Sequence, residues 1–397
     1  MAGVTIQRLG RAGDGIAGAL RLPFALPGER WEVGDAAVLL TPAPERVAPP
    51  CPQFGRCGGC ALQHASDDFL AAWKGETIRR ALAAQGIAAK IRPMLTSPPR
   101  SRRRAVFAGR RTKRTVVVGF HARRSEALVD ADGCVLVRPE ILAARPTLVA
   151  VTRLGATRST MLRLTVTSGP AGLDVDAAGG RALDAGLRSE LAAAAEAGDL
   201  ARLSWGGEPI ALRRQPVQAM GRAQVVPPPG AFLQATAEGE AVLVAAVREA
   251  SAGARRVADL FAGCGTFALP LAETAEVRAV EGDDAMLTAL AAGWRQAAGL
   301  RRVTTEVRDL FRRPMLAPEL AGLDAVVIDP PRAGAEAQSW VLAGSGVPRI
   351  AAVSCDPASF ARDARLLVEG GYRLDWVQPV DQFRWSGHVE LAAQFSR

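Results

Sequence analysis

The feature that most limits the fold of this chain is a series of short apolar runs that alternate with helical segments in its C-terminal part. The runs lie near residues 257, 277, 303, 324, 350, 373 and 389. Such alternation is typical of a sheet that carries helices on both of its faces. We therefore predict a doubly wound α/β sheet in this part of the chain.

Three of these runs end in residues that can carry chemistry. Val257–Thr266 passes from a strand into a glycine turn, which brings backbone amides close to a nucleotide-like ligand. Val326–Arg332 contains Asp329 and two prolines, and Ile350–Pro357 stops at the thiol of Cys355. Because ligands of open α/β sheets bind beyond the strand ends, we predict that the three segments form one active site.

Four further motifs complete the pattern: Phe232–Gln234, Glu281–Asp283, Asp309–Phe311 and Gly387–Glu390. In their order and spacing, these motifs and the three strand ends resemble the RNA 5-methyluridine methyltransferases. That family methylates carbon 5 of uracil in ribosomal or transfer RNA with S-adenosylmethionine. The resemblance covers most of the chain and implies a Rossmann-like class I methyltransferase domain.

The resemblance also implies which residues bind S-adenosylmethionine. They are Gln234, Gly263, Glu281 and Asp329, with Phe261 as a wall of the pocket. The position of Glu281 at the end of the second apolar run agrees, because a carboxylate there can accept hydrogen bonds from ribose hydroxyls. Asp309 ends the third run and is predicted to meet the adenine end of the cofactor. A dehydrogenase also binds adenosine at strand ends, but the Asp-Pro-Pro-Arg motif and Cys355 disfavour it.

Carbon 5 of uracil is a poor nucleophile, because direct attack on a sulfonium methyl group would interrupt the conjugation of the ring. A thiolate that adds to carbon 6 supplies the electrons, and we predict Cys355 as this nucleophile, with a low thiol pKa. A base must then remove the carbon 5 proton. The resemblance assigns this role to Glu390, while His388 is an alternative because imidazole titrates near neutrality.

A glycine-rich loop holds three cysteines, Cys51, Cys57 and Cys60. Cytosolic proteins rarely keep disulfides, so a metal-binding thiolate site is the better interpretation. Two of the three other cysteines lie in the predicted catalytic sheet, which leaves Cys134 as the fourth ligand. Zinc and an iron-sulfur cluster both accept four thiolates. The resemblance implies a [4Fe-4S] cluster, for which we expect a structural or RNA-positioning role.

The N-terminal part of the chain differs in pattern from the rest. Residues 1–47 alternate short apolar runs with glycine turns, which predicts a small barrel, and they resemble the OB-like TRAM domain. A proline-rich connector follows. We predict a mixed α+β central domain over residues 48–230, which binds RNA and carries the iron-sulfur loop, and the methyltransferase domain over residues 231–397.

The charge of the chain indicates a polyanionic partner. Its formal net charge is +9, and the segment from Arg100 to Ser125 holds ten basic residues and no acidic one. We therefore predict an RNA-binding face there, with Arg102 and Arg104 contributing affinity. The presence of both barrel and cysteine loop implies, by resemblance, that the substrate is 23S ribosomal RNA. A single-stranded or loop uridine is expected, because the base must leave its stack.

Other functions remain as alternatives. One is a transfer RNA uracil-5 methyltransferase, and another is a non-catalytic RNA-binding iron-sulfur protein of ribosome assembly. A methyltransferase acting on an exocyclic amine usually has an aromatic residue where Arg332 stands. The chain has neither an apolar run of membrane-spanning length nor a signal peptide at its start, so we expect a cytoplasmic monomer with no membrane partner.

Overall fold

The structure is a computed structural model that describes residues 3–397, so Met1 and Ala2 of the predicted barrel lie outside the described residues. The N-terminal strands are β1 (Gly3–Thr5), β2 (Arg8–Leu9), β3 (Gly15–Ala17), β4 (Leu20–Leu22), β5 (Arg30–Val33) and β6 (Ala37–Thr41). They form two antiparallel sheets of three strands, with the orders β1-β5-β6 and β2-β3-β4. The fully buried Glu29 forms an ion pair with Arg46, which ties these strands to the connector that follows.

The segment after the connector contains helix α1 (Asp67–Ala83) and strand β7 (Leu95–Thr96). The hydroxyl of Ser66 caps α1 by accepting a hydrogen bond from the Phe69 N–H. Although this segment lies within the range predicted for the central domain, α1 packs against a helix of the C-terminal sheet. Strand β7 extends that same sheet at its edge. The predicted domain limits stay a prediction.

The middle of the chain forms a second mixed unit. Its elements are β8 (Arg104–Arg111), β9 (Val116–His121), β10 (Leu128–Asp130), α2 (Pro139–Ala143), α3 (Arg145–Gly155), β11 (Met161–Gly169), β12 (Gly172–Ala178), α4 (Ala185–Ala197), β13 (Arg202–Trp205) and β14 (Glu208–Leu212). The strands form one sheet in the order β10-β9-β8-β11-β12-β13-β14. Leucine and alanine side chains of α3 and α4 share a core with this sheet.

The C-terminal part contains the predicted alternation of strands and helices. Its elements are β15 (Gln218–Met220), β16 (Ala223–Val225), α5 (Ala237–Ala250), β17 (Arg256–Leu260), α6 (Ala268–Leu271), β18 (Glu276–Glu281), α7 (Asp284–Gln296), β19 (Val303–Val307), α8 (Ala317–Leu320), β20 (Ala325–Ile328), α9 (Glu336–Ala343), β21 (Arg349–Ser354), α10 (Pro357–Glu369), β22 (Arg373–Asp381) and β23 (Glu390–Ser396). A strand occupies each of the seven predicted apolar runs, so that prediction is confirmed.

The order of the eight-stranded sheet is β19-β18-β17-β20-β21-β23-β22-β7. Strands β17 to β21 pair in parallel, while β23 lies antiparallel between β21 and β22. The strand order therefore reverses between β17 and β20, and ligands of such sheets bind at the carboxyl ends beside this point.

Both faces of the sheet are covered by apolar cores. One core lies under α5 and α7, and the other lies under α9, α10 and the apolar face of α1. This explains why the central strands are apolar throughout rather than alternating in polarity. No helix within residues 3–397 is long and apolar enough to cross a membrane.

Candidate active site

A cavity of about 970 Å³ opens at the carboxyl ends of β17, β18, β20 and β21. It lies where the reversal of strand order leaves a crevice between the covering helices. The structure brings together at its wall all eight residues that the sequence suggested for catalysis and cofactor binding. They are Gln234, Phe261, Gly263, Glu281, Asp309, Asp329, Cys355 and Glu390.

The glycine turn after β17 is tied to the end of β18 by one carboxylate. Glu281 accepts a hydrogen bond at Oε2 from the Gly263 N–H (3.1 Å) and at Oε1 from the N–H groups of Gly282 (2.6 Å) and Asp283 (3.1 Å). Phe261 and Gly263 both have positive φ, of 62° and 53°. A non-glycine residue in this conformation is uncommon, and such strain concentrates at ligand sites.

Cys355 and Glu390 lie opposite each other although 35 residues separate them in sequence. Ser354 at the end of β21 pairs with Leu391 in β23, so the next position along the ladder places Cys355 opposite Glu390. Side chains at directly opposite positions share one face of the sheet, with Cβ atoms about 5 Å apart. The antiparallel direction of β23 thus brings a thiol and a carboxyl group to the same wall of the cavity.

The carboxyl groups of Asp329 and Glu390 at this wall have raised pKa values. Burial raises the pKa of Asp329 to about 7. Burial, together with the neighbouring Asp329, raises the pKa of Glu390 to about 8, although a hydrogen bond from Gln382 opposes the rise. These two carboxyl groups, which lie on either side of β21, therefore titrate near physiological pH, a property that clusters at catalytic sites.

The expectation of a low thiol pKa for Cys355 is wrong for the free protein. Burial raises the pKa of Cys355, and the nearby Glu390 and Asp329 raise it further, while only Arg332 and a backbone hydrogen bond lower it. A thiolate in this cavity would stand beside two acidic groups in a medium that disfavours charge. Position at a strand end did not reveal this, because the effect depends on which groups the fold places nearby.

The alternative base, His388, lies outside the wall of the cavity. Its side chain is exposed and its Nδ1 lies 2.6 Å from a guanidinium nitrogen of Arg332. Partial desolvation of the imidazole by the surrounding residues, together with the positive charge of Arg332, lowers the pKa of His388. The geometry therefore favours Glu390 over His388 as the group that faces a ligand.

Sequence reasoning missed two buried residues of this site. Asp259 in β17 is fully buried, and neither of its carboxyl oxygens meets a partner with hydrogen-bond geometry among the described residues, although the Ala268 N–H is close enough to lower its pKa. Its burial raises the pKa well above the ordinary value. Gln382 is also fully enclosed, and its amide contacts both Gln234 and Glu390. Their signal in the sequence was a polar residue within or directly after an apolar strand.

The loop that leads into Glu390 is held in place by contacts with α1 and with the cysteine loop. Lys74 of α1 is fully buried and pairs with Asp381 (2.6 Å), and its ammonium group also donates to the Phe383 carbonyl (3.2 Å). The Trp385 carbonyl accepts from two N–H groups of the cysteine loop, and its ring packs in the core beneath. The segment before Glu390 is therefore fixed by α1 and by the cysteine loop together.

The four predicted cluster ligands, Cys51, Cys57, Cys60 and Cys134, line one small cavity together with Phe54 and Phe120. All four are free thiols, half-buried, and burial raises the pKa of Cys60 to about 12. Gly133 lets the second loop approach the first, since a Cβ there would lie 2.9 Å from Pro52. Within the described chain, no group of three or more His, Cys, Asp or Glu side chains is arranged to bind a single metal ion.

The basic segment divides into an inward and an outward part. Arg103 is buried in an ion pair with Glu240, and Arg104 donates to the carbonyls of Gly230 (3.2 Å) and Ala231 (3.1 Å). Arg102 is partly buried over the Phe383 ring. Arg103 is thus held inside the protein, whereas Arg102 and Arg104 make internal contacts but stay partly exposed, so their role toward RNA stays a prediction.

The outward part is the exposed turn between β8 and β9, next to an open cavity of about 570 Å³. Four arginines and one glutamate line that cavity: Arg111, Arg153, Arg158, Arg181 and Glu190. We call this cavity and the turn the basic face. Arg153 and Arg158 are exposed and take part in no ion pair within residues 3–397.

The raised pKa of Glu390 predicts a stability effect. In the unfolded chain the carboxyl group titrates near its ordinary value of 4.5, whereas the folded value is about 8. Between these values the folded protein keeps a proton that the unfolded chain releases, so stability falls as pH rises. Glu390→Gln removes this titration, and its stabilising effect should be roughly 3 to 5 kcal/mol larger at pH 9 than at pH 5. Chemical denaturation measures this difference, and equal effects at both pH values would contradict it.

Comparison with known proteins agrees with this geometry. A relative in Brucella suis described as an uncharacterized RNA methyltransferase is 44% identical over 404 residues, covering 99% of this chain and 97% of the relative. The 23S rRNA (uracil(1939)-C(5))-methyltransferase of Chromohalobacter salexigens is 35% identical, covering 100% of this chain and 89% of that protein. No family model matches the chain.

Among solved structures, the tRNA (uracil-54, C5)-methyltransferase of Pyrococcus abyssi, in complex with S-adenosyl-L-homocysteine, has the same fold. Its TM-score is 0.77 at 21% identity, and the match covers 99% of both chains. The sheet order, the glycine turn and this match show the fold of a class I methyltransferase. The relatives narrow the class, and the chain belongs to the RNA 5-methyluridine methyltransferases. It is an enzyme whose substrate is RNA.

Proposed function

We propose that the protein methylates carbon 5 of a specific uridine in 23S ribosomal RNA through a covalent adduct between Cys355 and uracil. The observation that carries this proposal is the thiol opposite a buried carboxyl group at the wall of one cavity. Methyl transfer to an exocyclic amine needs no nucleophilic thiol, so this pair favours chemistry at a carbon atom.

The proposed reaction has two stages. The Cys355 thiolate adds to carbon 6, and the electrons of the ring double bond make carbon 5 nucleophilic. Carbon 5 then takes the methyl group from the sulfonium of S-adenosylmethionine, whose sulfur–methyl bond breaks to leave S-adenosylhomocysteine. Glu390 then removes the proton from carbon 5, the double bond forms again, and the sulfur–carbon bond breaks to release the thiolate. The position of Glu390 opposite Cys355 supports this division, because both groups must reach neighbouring atoms of one base.

The high thiol pKa of the free protein is compatible with the proposed reaction, because the bound cofactor would lower it. S-adenosylmethionine supplies the methyl group and carries a positive sulfonium charge. A positive charge in a cavity lined by Asp329, Cys355 and Glu390 favours the ionised forms of all three. We infer that Cys355 and Glu390 stay mostly neutral until the cavity is filled, which limits repulsion between them in the free protein.

The cofactor roles proposed from the sequence fit the cavity. Glu281 at the end of β18 accepts the ribose hydroxyls, and Asp309 lies toward the adenine. Phe261 forms a wall with the Phe311 ring, whose centre is 5.3 Å from its own. Gln234 and Asp329 complete the binding site.

The choice of ribosomal RNA rests on the relatives. A 35% identical relative over the whole chain is named for uridine 1939 of 23S rRNA, whereas the match to the transfer RNA enzyme has 21% identity and supports the fold alone. The test is methyl transfer from labelled S-adenosylmethionine to purified 23S rRNA and to transfer RNA, each lacking the modification. Labelling of transfer RNA alone would contradict the ribosomal assignment, and labelling of neither would favour a non-catalytic role in ribosome assembly.

We further propose the domain roles. Residues 1–47 form a TRAM-like OB barrel, residues 48–230 bind RNA and carry the cysteine loop, and residues 231–397 bind S-adenosylmethionine. The two small N-terminal sheets support the first assignment. The protein is proposed to act as a monomer, since each residue required by the reaction comes from one chain.

The cysteine loop is proposed to hold a [4Fe-4S] cluster through Cys51, Cys57, Cys60 and Cys134. Four free thiols around one cavity with aromatic walls fit such a group. Zinc also accepts four thiolates, and the metal and sulfide contents distinguish the two. The cluster would take the ionised thiolates and join the two loops, which supports the segment before Glu390.

Anaerobically purified protein is therefore expected to be brown, with four iron and four sulfide per chain. Replacing Cys57 or Cys134 should lower both contents and the solubility, because a four-thiolate site loses a ligand. Iron and acid-labile sulfide assays measure this, with Cys264→Ala as the control, since Cys264 lies away from the loop. Stoichiometric zinc without sulfide would contradict the cluster.

The basic face is proposed to bind the RNA backbone. The double replacement of Arg153 and Arg158 by alanine should reduce the slope of log affinity against log salt, by up to about 0.7 to 0.9 for each lost phosphate contact. The double replacement of Arg102 and Arg104 changes net charge equally but should leave the slope nearly unchanged, because those side chains bond internal carbonyls and rings. Filter binding at several salt concentrations measures both slopes, and the reverse ranking would restore the interpretation made from sequence.

A further inference from the structure

A buried glutamine links the proposed base to the proposed cofactor site. The Gln382 side chain is 1% exposed, and its Nε2 donates to Gln234 Oε1 (2.5 Å) and to Glu390 Oε2. Its Oε1 accepts a hydrogen bond from the Thr236 N–H (3.2 Å). Both hydrogens of the amide nitrogen and its oxygen are thus engaged in hydrogen bonds.

The orientation of this amide is fixed by its backbone partner. A backbone N–H can only donate, so the atom of Gln382 that faces Thr236 must be the oxygen. The amide nitrogen therefore faces Gln234 and Glu390. Thr236 is itself fixed as the cap of α5, because its hydroxyl accepts from the Gly239 N–H (3.0 Å).

The hydrogen bonds from Gln382 use one oxygen of Glu390 and the side-chain oxygen of Gln234, and each of these residues keeps one polar atom for other partners. Glu390 accepts at Oε2, which leaves its other carboxyl oxygen to take a proton. Gln234 accepts at Oε1, which leaves its own amide nitrogen as a donor at the wall of the cavity. The donor would meet a carbonyl or carboxylate oxygen of whatever ligand fills the cavity.

Gln382 is closely packed against the start of α5. A Cβ added at Gly239 in the first turn of α5 would lie 2.8 Å from the Thr236 Oγ1, 2.9 Å from the Gln382 Cβ and 3.0 Å from its Oε1. A glycine at this point lets α5 approach the glutamine closely. The helix start, the end of β22 and the start of β23 thus meet at one amide.

We propose that Gln382 is a positioning residue for uracil methylation, which holds Glu390 as the acceptor of the carbon 5 proton and turns the Gln234 amide nitrogen toward the bound ligand. This inference rests on the proposed function, because it requires Glu390 to act as the base. It adds a residue that contacts neither the thiol nor the cavity directly.

The charges around Glu390 show why such a donor matters. Asp329 at the end of β20 raises the pKa of Glu390, and Cys355 at the end of β21 would repel its ionised form. Gln382, in the segment after β22, donates a hydrogen bond that favours the ionised form of Glu390. Removing it should therefore shift the titration of the base upward.

The decisive variant is Gln382→Met, which keeps the volume of the side chain and removes the amide. The rate at which the adduct resolves in a single turnover should fall about 10- to 100-fold at pH 7, and the midpoint of its pH profile should rise by about one to two units. Binding of S-adenosylmethionine, measured by calorimetry, should weaken about 3- to 10-fold. Gln378→Met in β22, four residues before Gln382, is the matched control, because the Gln378 amide nitrogen donates only to the carbonyls of Pro93 and Pro379.

A second variant tests the same proposal in case Gln382→Met does not fold. Gly239→Ala leaves the amide intact but pushes Gln382 away, so it should shift the pH midpoint in the same direction. Equal pH profiles for Gln382→Met and Gln378→Met would overturn the proposal, as would a slower rate without a shift in the midpoint. Glu390→Gln is assayed in parallel. If it forms no adduct, the proposed mechanism and this inference both fail, whereas an adduct there with a normal Gln382→Met profile overturns this inference alone.

Discussion

Cys355→Ala is expected to bind RNA and S-adenosylmethionine but to transfer no methyl group, with a loss of rate of roughly 10⁴-fold or more. Without the thiol, no group adds to carbon 6, and carbon 5 never becomes nucleophilic. Binding should persist because Cys355 is one residue at the wall of a cavity whose other contacts remain. Transfer of labelled methyl groups and calorimetric binding measure the two effects separately.

Cys264→Ala is the matched control for this experiment. Cys264 follows Gly263 in the glycine turn, but it is buried against Met286 and burial raises the pKa of its thiol to about 12. We therefore expect packing rather than chemistry from Cys264, and adduct formation in this variant. Turnover by Cys355→Ala, or an adduct formed there through Cys264, would show that the nucleophile is assigned wrongly.

Glu390→Gln is expected to add, to methylate once and then to stall. The amide cannot take the carbon 5 proton, so the double bond does not form again and the thiolate cannot leave. The observable is a protein–RNA adduct that resists denaturation and carries the labelled methyl group. Multiple turnover should be lost, by roughly 10³-fold or more, while the first methyl transfer is retained.

His388→Ala separates the two candidate bases. His388 is exposed and outside the cavity wall, so this variant should turn over without a stable adduct. Gel electrophoresis under denaturing conditions, with labelled cofactor, compares the two variants directly. An adduct that accumulates in His388→Ala, together with normal turnover in Glu390→Gln, would assign the base to the histidine.

The sequence by itself determined the catalytic sheet and the groups at its edge. Its apolar runs are long enough to form buried strands, and the runs that build the site end next to residues with ionisable side chains. The carboxyl ends of parallel strands meet at one edge, so Glu281 and Asp329 had to lie near the glycine turn. Such features can be predicted from the sequence because they depend only on the hydrophobicity and the turn preferences of neighbouring residues.

The tertiary structure decided what depends on distant neighbours. Burial beside Glu390 and Asp329 raises the Cys355 pKa, although the sequence suggested a low value. The inward arginines, with Arg103 paired to Glu240, could not be separated from the outward ones by counting charges.

Gln382 showed its role only when α5, β22 and β23 met, because a hydrogen bond between residues 148 positions apart leaves no periodic signal in the sequence. Hydrophobic patterning thus determined the α/β sheet and the edge of the sheet at which the site lies. The pKa values and the positioning network depend on desolvation and on contacts between elements, and these exist only in the folded chain.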